Sequence, residues 1–432
     1  MTKLHACLIL PLVFLVSACT TSPPPAVNLP TLSVVDREPS RNLRVNYFID
    51  ATESMEGFAE RKGRRTAYQE LLTTLEDAAL NLSPTPQFTK YRFGNKLAVV
   101  SGRLGVTAGQ DKNFYDSKVV GTQTQIQQAL LNPKNTCVRN GPEELTIVVT
   151  DLFQTDSDIG RVVSTIQQCF LAQGRVVGLL GVQSDFSGMI YDFPGGPLSL
   201  AGGKRPVYAL VLGKYANVQA YFEAIQLISP SLKPPTARYT IFSPRVFLES
   251  PDFFKTDPTD NRNNLIKQGF AESKIYQLET QGEPVDFTVC GDTPRPLSKD
   301  IAGYRVPQEG QFIPTVRHYP LSEGPATVLN DSRMVEVTPG DCANGLGLQV
   351  KVDPARLQVQ GEPRGHYLFQ LAFRPSPQGY PKQWDAWNTE DVPRNPRKTL
   401  NLSRFIKSLY GATLTREPDR QEVILRFFLT RF

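Results

Sequence analysis

Histidine is scarce in this chain of 432 residues, and the motifs that bring histidine into catalytic sites are missing. The three histidines are His5, His318 and His366. No Gly-x-Ser-x-Gly elbow and no His-Glu-x-x-His helix occur, so the usual serine-hydrolase and zincin signatures are excluded. Acidic residues are plentiful, but no pair stands out as a general acid and base. We therefore expect that the protein is not an enzyme, with a metal-dependent hydrolase as an alternative.

A dense charge of one sign is also lacking. The chain has 47 basic and 42 acidic residues, a formal net charge of +5, and 21% charged residues overall. Binding of nucleic acid requires a concentrated basic face, so we expect no nucleic-acid partner. Hydrophobic residues make up 40% of the chain, which is enough for folded cores, and the length suggests two domains.

The hydrophobic run near the N-terminus is too short to cross a bilayer as a stable helix. Residues 8–16 form this run after Lys3, and the small residues Ser17 and Ala18 follow it. The pattern predicts a cleaved signal peptide of residues 1–18. Residues 19–40 are rich in proline and predict a semi-extended linker.

The segment Val16-Ser17-Ala18-Cys19 resembles the lipobox of bacterial lipoproteins. The resemblance implies that Cys19 is the lipidated first residue of the mature chain, held in the cell envelope by acyl chains such as palmitate. Thr20 rather than Asp follows the cysteine, which in a Gram-negative host resembles lipoproteins sorted to the periplasmic side of the outer membrane. An ordinary signal peptide with a chance cysteine is the alternative.

Four further cysteines follow the lipobox, and they fall as one pair in each half of the chain: Cys137 with Cys169, and Cys290 with Cys342. Two disulfide bonds between these neighbours are the simplest arrangement, and export to an oxidising compartment permits them. Sequence alone allows three connectivities. Cys169 also lies at a helical core spacing, which is compatible with a buried free thiol. None of the spacings is typical of a zinc site.

Strand-like and helix-like segments alternate over residues 41–245. Strands are predicted at 43–49, 88–93, 96–101, 145–150, 175–182 and 206–212, and helices at 65–82, 122–131, 157–172 and 216–228. This alternation indicates an α/β domain with a doubly wound, mostly parallel sheet. One segment does not fit, because residues 183–204 should contain a crossover helix but are rich in glycine and proline.

The periodicity changes in the second half of the chain. Short alternating runs separated by turn residues predict a β-rich domain of residues 250–432, most simply a sandwich, with one helix at 402–414. Trp384 and Trp387, the only tryptophans, lie in a polar stretch of this half. We expect them to pack on their own sheet, with an exposed partner-binding patch as the alternative.

Polar side chains follow two of the predicted strands at the point where each strand ends. Asp50, Thr52 and Ser54 come directly after residues 43–49, and Asp151 follows residues 145–150. In an open α/β sheet, ligands bind beyond the carboxyl ends of the strands, so the two carboxylates are expected to face one crevice. Carboxylate and hydroxyl oxygens are the ligands that a hard divalent cation prefers. The alternative is that both aspartates cap adjoining turns and hold no ion.

These residues resemble the metal-ion-dependent adhesion site of the von Willebrand factor A (VWA) family, which carries an Asp-x-Ser-x-Ser loop, a later threonine and a later aspartate. Asp50, Thr52 and Ser54 match the loop, and Asp151 matches the last position. Thr122 matches the middle threonine in a Gly-Thr-x-Thr setting, and Thr124 is the second choice. The resemblance implies a VWA domain over residues 41–245 that binds Mg²⁺, or else Mn²⁺ or Ca²⁺, through these five residues.

Two departures from the family pattern bear on the site. Thr52 stands where the family has serine, which keeps the hydroxyl but stiffens the side chain. Leu152 follows Asp151 where the family often has glycine.

The resemblance also implies a function. A metal with an open coordination position can bridge to an acidic residue of a protein partner, and no bond need be broken. The basic residues Arg61, Lys62, Arg64 and Arg65 follow the first loop and favour an acidic partner, although they can equally form a solvated helix start. We therefore expect a membrane-anchored lipoprotein that binds a protein partner through a divalent metal. A structural envelope lipoprotein without a metal is the second reading.

Overall fold

The part of the chain that the structure describes begins at residue 39. The computed structural model describes residues 39–59, 65–100, 106–131, 136–138, 141–152, 156–191, 196–233, 235–243, 254–256, 266–270, 273–280, 283–291, 310–320, 325–329, 334–342, 345–357, 363–375, 380–414 and 422–431. The predicted signal peptide, Cys19 and most of the predicted linker lie outside these residues. Within them, no helix combines the length and the apolar character needed to cross a membrane.

A seven-stranded sheet organises the first half of the chain into an α/β unit. In chain order the strands are β1 (Arg44–Asp50), β2 (Gln87–Phe93), β3 (Leu97–Val99), β4 (Glu144–Thr150), β5 (Val176–Asp185), β6 (Gly188–Ile190), β7 (Leu198–Leu200), β8 (Lys204–Gly213) and β9 (Ala237–Phe242). The helices are α1 (Glu53–Ala59), α2 (Ala67–Leu82), α3 (Ser117–Val120), α4 (Ile126–Leu130), α5 (Asp156–Cys169) and α6 (Tyr215–Ile228). The sheet order is β3-β2-β1-β4-β8-β5-β9, and β6 and β7 pair separately as a small hairpin.

Helices α2 and α6 begin and end within about two residues of their predicted bounds, whereas α5 ends at Cys169, before the predicted end at residue 172. Thr66 caps α2, because its hydroxyl accepts from the backbone of Gln69 while the Gln69 side chain accepts from the backbone of Thr66. Apolar positions of α2 at helical spacing are buried against the sheet, among them Leu71, Leu72 and Leu75. The predicted helix at 122–131 is much shorter in the structure, since α4 spans only Ile126–Leu130.

The prediction of a mostly parallel sheet is only partly right, because the sheet is mixed. Strands β2, β1, β4 and β5 run in one direction, whereas β3, β8 and β9 run in the other. Strand β8 lies between β4 and β5 and is antiparallel to both. It pairs with β5 from Val176↔Gly213 to Asp185↔Lys204, as the two arms of one long hairpin. A hairpin needs no crossover helix, and this explains the Gly- and Pro-rich composition of residues 183–204.

Each face of the sheet carries its own hydrophobic core. Helices α2 and α6 cover one face together with α1 and with side chains such as Phe186. On the other face the core includes residues of α4 and α5 and, from far along the chain, residues of α7 (Leu402–Leu414) and of a short 3-10 helix, Lys382–Trp387. The predicted helix at 402–414 is therefore correct, but it packs on the first sheet.

Both tryptophans pack rather than form an exposed patch. Trp384 and Trp387 are buried, and the Trp384 indole donates to Thr240 Oγ1 at 2.9 Å. They lie directly on Gly181 of β5, where a Cβ atom would come within 2.6 Å of the Trp384 ring. The sheet that they cover belongs to the first half of the chain, so residues 380–414 join that unit in space. The division of the chain into domains of residues 41–245 and 250–432 stays a prediction.

Among the described residues, the remaining strands of the second half form two larger sheets and one two-stranded sheet. Their bounds are β10 (Phe254–Thr256), β11 (Ile266–Phe270), β12 (Ser273–Thr280), β13 (Val285–Gly291), β14 (Gly310–Pro320), β15 (Thr327–Leu329), β16 (Val335–Cys342), β17 (Gly345–Val352), β18 (Gly365–Pro375), β19 (Asn388–Thr389), β20 (Thr399–Leu400) and β21 (Glu422–Arg431). One sheet has the order β10-β13-β17-β16 and the other β11-β12-β21-β18-β14-β15, while β19 and β20 pair with each other. The rings of Phe287 and Phe427 meet at 5.0 Å and join the two larger sheets. This region is β-rich, as predicted.

A disulfide bond joins Cys137 to Cys169, with 5.4 Å between the two Cα atoms. It connects the segment after α4 to the end of α5 and confirms the first predicted pair over the free-thiol alternative. The second pair, Cys290 with Cys342, stays a prediction because those side chains lie outside the described part of the structure. Their backbones lie on β13 and β16, which flank β17 and are not neighbours.

Candidate carboxylate and hydroxyl site

Asp50 is the centre of a buried polar cluster at the carboxyl end of β1. Its side chain is fully buried and accepts four hydrogen bonds from threonines. Thr52 donates its backbone N–H at 3.1 Å and its hydroxyl at 2.7 Å to Oδ1. Thr124 and Thr150 donate their hydroxyls to Oδ2 at 3.0 and 2.9 Å. Both oxygens of the carboxylate are therefore saturated by the chain itself.

The middle threonine of the cluster is Thr124, and not Thr122 as the sequence predicted. Thr124 is 9% exposed and its Oγ1 lies 3.0 Å from that of Thr52. Thr122 is exposed to solvent. Gly121 precedes it with φ of 87° and turns the chain, so that the second hydroxyl of the Gly-Thr-x-Thr segment faces Asp50.

The glycine of the β2–β3 turn supports this arrangement. Gly94 packs so closely that a Cβ atom there would lie 2.7 Å from the carbonyl oxygen of Val120 and 3.1 Å from the methyl group of Thr52. Its carbonyl accepts from the backbone of Gln125 at 3.3 Å. The turn thus fixes the loop that carries Thr124 against the loop that carries Thr52.

The hydroxyl oxygens of Thr52, Ser54 and Thr124 lie close together beside the Asp50 carboxylate. Thr52 Oγ1 lies 3.2 Å from Ser54 Oγ and 3.0 Å from Thr124 Oγ1. Oxygen ligands that bind Mg²⁺ at adjacent octahedral positions lie about 3 Å apart, because each bond is about 2.0–2.1 Å long. Ser54 and Thr52 are buried; Thr52 lies in the short turn between β1 and α1, and Ser54 lies in the first turn of α1.

Asp151 brings a second carboxylate to the same edge. It follows β4, which pairs in parallel with β1, and it is 2% exposed. Burial and the negative charge of Asp151 raise the pKa of Asp50 to about 7, although the hydrogen bonds from Thr52 and Thr150 act in the opposite direction. The sequence prediction that the two aspartates share one edge is therefore consistent with the structure.

Leu152 adopts the conformation for which glycine is suited. Its φ is 53°, in the left-handed region. Its side chain is 3% exposed and belongs to the core that contains residues of α4, α5 and α7. Its backbone N–H donates to Thr150 Oγ1 at 3.3 Å. The turn after Asp151 is therefore strained, and it is held by burial of the leucine.

Sequence reasoning missed two residues of the site. Thr150 precedes Asp151 at the end of a buried strand, and a polar residue at the last position of an apolar run was the available signal. Arg205 is a buried arginine near the start of β8, and its charge acts on Asp151. Arg205 comes close to Asp151 because β8 lies between β4 and β5 in the sheet, and this strand order could not be predicted from the sequence.

A groove of about 570 Å³ opens beside the cluster. The first turns of α1 contribute Glu53 and Glu56, and the β6–β7 hairpin contributes Tyr191. Ser117 donates to Glu53 at 3.0 Å, and Lys112 pairs with Glu56 at 3.0 Å. The groove wall thus carries two carboxylates near the buried aspartates, and Lys112, which also lines the groove, pairs with one of them.

The predicted basic segment contributes little that the structure describes. Arg61, Lys62 and Arg64 lie outside the described residues. Arg65 is exposed, and its guanidinium donates to Gln69 O at 3.4 Å and to Thr73 Oγ1 of the following helix. Arg65 therefore lies against its own helix.

Comparisons with known proteins add no family to these observations. The chain matched no protein-family model, no curated protein and no solved structure. The account of function accordingly depends on the residues and their geometry alone.

Proposed function

We propose that the cluster around Asp50 binds one divalent cation, most simply Mg²⁺, and that the chain is a VWA-like binding module that meets its partner through this ion. The observation that carries the proposal is the 3.0 Å contact between Thr52 Oγ1 and Thr124 Oγ1. Each of these threonines also donates to the Asp50 carboxylate. Other residues of the ligand set are Ser54 and Asp151.

A count of protons explains why this contact favours a cation. Each hydroxyl has one proton to donate. When Asp50 is ionised, Thr52 and Thr124 direct their protons at Oδ1 and Oδ2. No proton is then left for the contact between the two hydroxyl oxygens, and their lone pairs face each other. A positive charge at that point stabilises such an arrangement.

Charge leads to the same conclusion. Asp50 and Asp151 place two carboxylates in one buried site, and Glu53 and Glu56 line the adjoining groove, against two nearby cations, Arg205 and Lys112. An acidic partner would be repelled by this edge of the sheet unless a cation lay between them. When bound, the ion would supply an open coordination position for a carboxylate of the partner. The chain's own hydroxyls orient the site, and burial keeps water from Asp50.

The N-terminal residues extend the proposal to the cell envelope. Cys19 in its lipobox-like segment would tether the module to a membrane, and the proline-rich residues 19–40 would separate the folded body from the lipid surface. The partner is then a protein of the envelope that presents an acidic residue.

A second candidate is a structural envelope protein with no ion. The observation that favours it is the saturation of Asp50 by four donors from its own chain. If Asp50 keeps a proton, it can donate to one threonine, and that threonine can donate to the other. Every contact in the cluster is then a hydrogen bond.

Affinity capture with a matched pair of variants tests the proposed function. The lipid-anchored protein, its Thr124→Val variant and its Thr122→Val variant are each used to capture proteins from detergent-solubilised envelopes, in Mg²⁺ and in EDTA. We expect one protein to be retained by the wild type and by Thr122→Val in Mg²⁺ only. Equal retention of that protein in EDTA, or by Thr124→Val, would contradict a metal-bridged contact.

A further inference from the structure

Arg205 is a fully buried cation with only part of its hydrogen-bonding capacity satisfied. Its side chain is 1% exposed, and two of its nitrogen atoms, Nε and Nη1, are buried without a hydrogen-bond partner. Buried charges are ordinarily paired or hydrogen-bonded, because desolvation of an ion is costly. A guanidinium buried in this way is tolerated only where a nearby negative charge offsets part of its desolvation.

The strand register explains which group Arg205 serves. On β8, Tyr208 is paired with Thr150 of β4, so Arg205 lies three residues earlier, beyond the last paired position. If the register is continued by one residue past the end of β4, Asp151 falls opposite Val207 and diagonal to Arg205. Diagonal pairs lie about 7–8 Å apart at the backbone, within reach of a long side chain. Burial lowers the pKa of Arg205, and the negative charge of Asp151 acts in the opposite direction by favouring the charged guanidinium.

An aromatic ring holds the guanidinium in place. The Arg205 guanidinium carbon lies 4.8 Å from the centre of the Phe186 ring. That ring contacts Phe58 and fits against Gly57 of α1, where a Cβ atom would come within 2.5 Å of it. Phe186 therefore lies between Arg205 and α1, the helix that follows Thr52 and contains Ser54.

We propose that Arg205 is the built-in counter-charge of the carboxylate site, which offsets the charge of Asp151 and thereby lowers the affinity of the site for a divalent cation. A charge of +1 fixed beside Asp151 stabilises the site when no ion is bound. The same charge repels a cation of +2 that enters. The effect on cation affinity rests on the proposed function, whereas the effect on Asp151 does not.

A double-mutant cycle tests the first part without any metal. The wild type, Arg205→Met, Asp151→Asn and the double variant are unfolded with urea in EDTA at pH 8. We expect Arg205→Met to lower the folding equilibrium constant about tenfold or more in the wild type, and to have little effect or to increase it in Asp151→Asn. An equal loss in both backgrounds would show that Arg205 acts by packing alone, and would overturn the inference.

Titration with Mg²⁺ tests the second part. We expect Arg205→Met to bind Mg²⁺ at least about tenfold more tightly than the wild type, and Arg205→Lys, which keeps the charge, to remain near the wild type. Arg238→Met is the matched control, because Arg238 is a second guanidinium on an aromatic ring, stacked at 4.3 Å on Trp387, and donates to the backbone carbonyl of Gln383. It should leave the affinity unchanged.

The outcomes separate this inference from the proposed function. Mg²⁺ binding of the same strength in the wild type and in Arg205→Met would overturn the inference and leave the proposed function standing. Coupling between Arg205 and Asp151 in EDTA, with no Mg²⁺ binding by any variant, would overturn the proposed function and the effect on affinity, and confirm only the counter-charge. If Arg205→Met fails to fold, Arg205→Gln removes the charge and Arg205→Lys keeps it, and the two variants are compared in the same two experiments.

Discussion

The hydroxyl oxygens of Thr52 and Thr124 lie 3.0 Å apart although both threonines donate to the carboxylate of Asp50. The two loops that carry them are 72 residues apart in sequence and meet only because β1 and the β2–β3 turn hold them together. This pair of oxygens is the feature on which a cation-binding role depends. It also fixes which threonine variants test that role.

The first prediction compares two threonines that are two residues apart. Thr124→Val removes a buried hydroxyl of the cluster, whereas Thr122→Val removes an exposed one. We expect Mg²⁺ to raise the melting temperature of Thr122→Val as much as that of the wild type, and to have little effect on Thr124→Val. A ligand at about 100 times its Kd stabilises the native state by about 2.7 kcal/mol, which is measurable by scanning calorimetry. Identical Mg²⁺ responses of the two variants would place the ion elsewhere.

The second prediction concerns the backbone strain at Leu152. With φ of 53°, an alanine at this position keeps the cost of the left-handed conformation, about 1–2 kcal/mol, whereas a glycine does not. Both substitutions lose the burial of the leucine and should destabilise the protein. We expect Leu152→Gly to be more stable than Leu152→Ala by about 1 kcal/mol in urea unfolding, the reverse of the usual order. If alanine is the better replacement, the turn is not strained as described.

The third prediction is a pH dependence that Asp50 imposes on the metal-free protein. The pKa of Asp50 is raised from 3.8 to about 7 by burial and by the charge of Asp151. The native state therefore binds a proton that the unfolded state releases between these values. Stability from this group is fully present below about pH 4 and is lost as pH rises to about 7, by on the order of a few kcal/mol.

The Asp50→Asn variant isolates this effect, because it cannot ionise at that position. In EDTA, the wild type should lose free energy of unfolding relative to Asp50→Asn between about pH 4 and pH 7, and Mg²⁺ should reverse the loss at pH 8. Parallel pH profiles of the two proteins would show that the buried carboxyl is not perturbed.

The fourth prediction concerns the disulfide bond between Cys137 and Cys169. The bond closes a loop over a sequence separation of 32 residues. In the chain-entropy treatment, a disulfide that closes a loop of that size stabilises the native state by about 3–4 kcal/mol. We expect the Cys137→Ala/Cys169→Ala variant to lose that free energy of unfolding under oxidising conditions. Reduction of the wild type should give the same value, and the double variant should not respond to reductant. A wild type that is insensitive to reduction would argue against the bond.

Much of the candidate site could be predicted because strand ends are visible in sequence. Asp50 and Asp151 each follow a run of buried apolar residues, and parallel neighbours end at one edge. The choice between Thr122 and Thr124 could not be predicted in the same way. It depends on the positive φ of Gly121 and on a helix that begins only at Ile126, both of which are set by contacts with the β2–β3 turn.

Long-range pairing was the part of the fold that local patterns did not reveal. The sequence of β8 predicts one more buried strand, but it does not indicate whether β8 pairs antiparallel with β5 as a hairpin or follows a crossover connection. The Gly- and Pro-rich composition of residues 183–204 was the only signal against a crossover. Likewise, the amphipathic pattern of α7 predicts a helix, but not that Phe405 and Ile406 pack on a sheet formed more than 150 residues earlier.

Isothermal titration of the EDTA-treated wild type with Mg²⁺, repeated with Mn²⁺, tests the central claim most directly. Binding of one ion per chain is predicted, with the affinity strongly reduced by Thr124→Val and unchanged by Thr122→Val. The absence of any saturable binding up to millimolar Mg²⁺ and Mn²⁺, with the protein folded throughout, would contradict the cation site and leave Asp50 at the centre of a purely structural cluster.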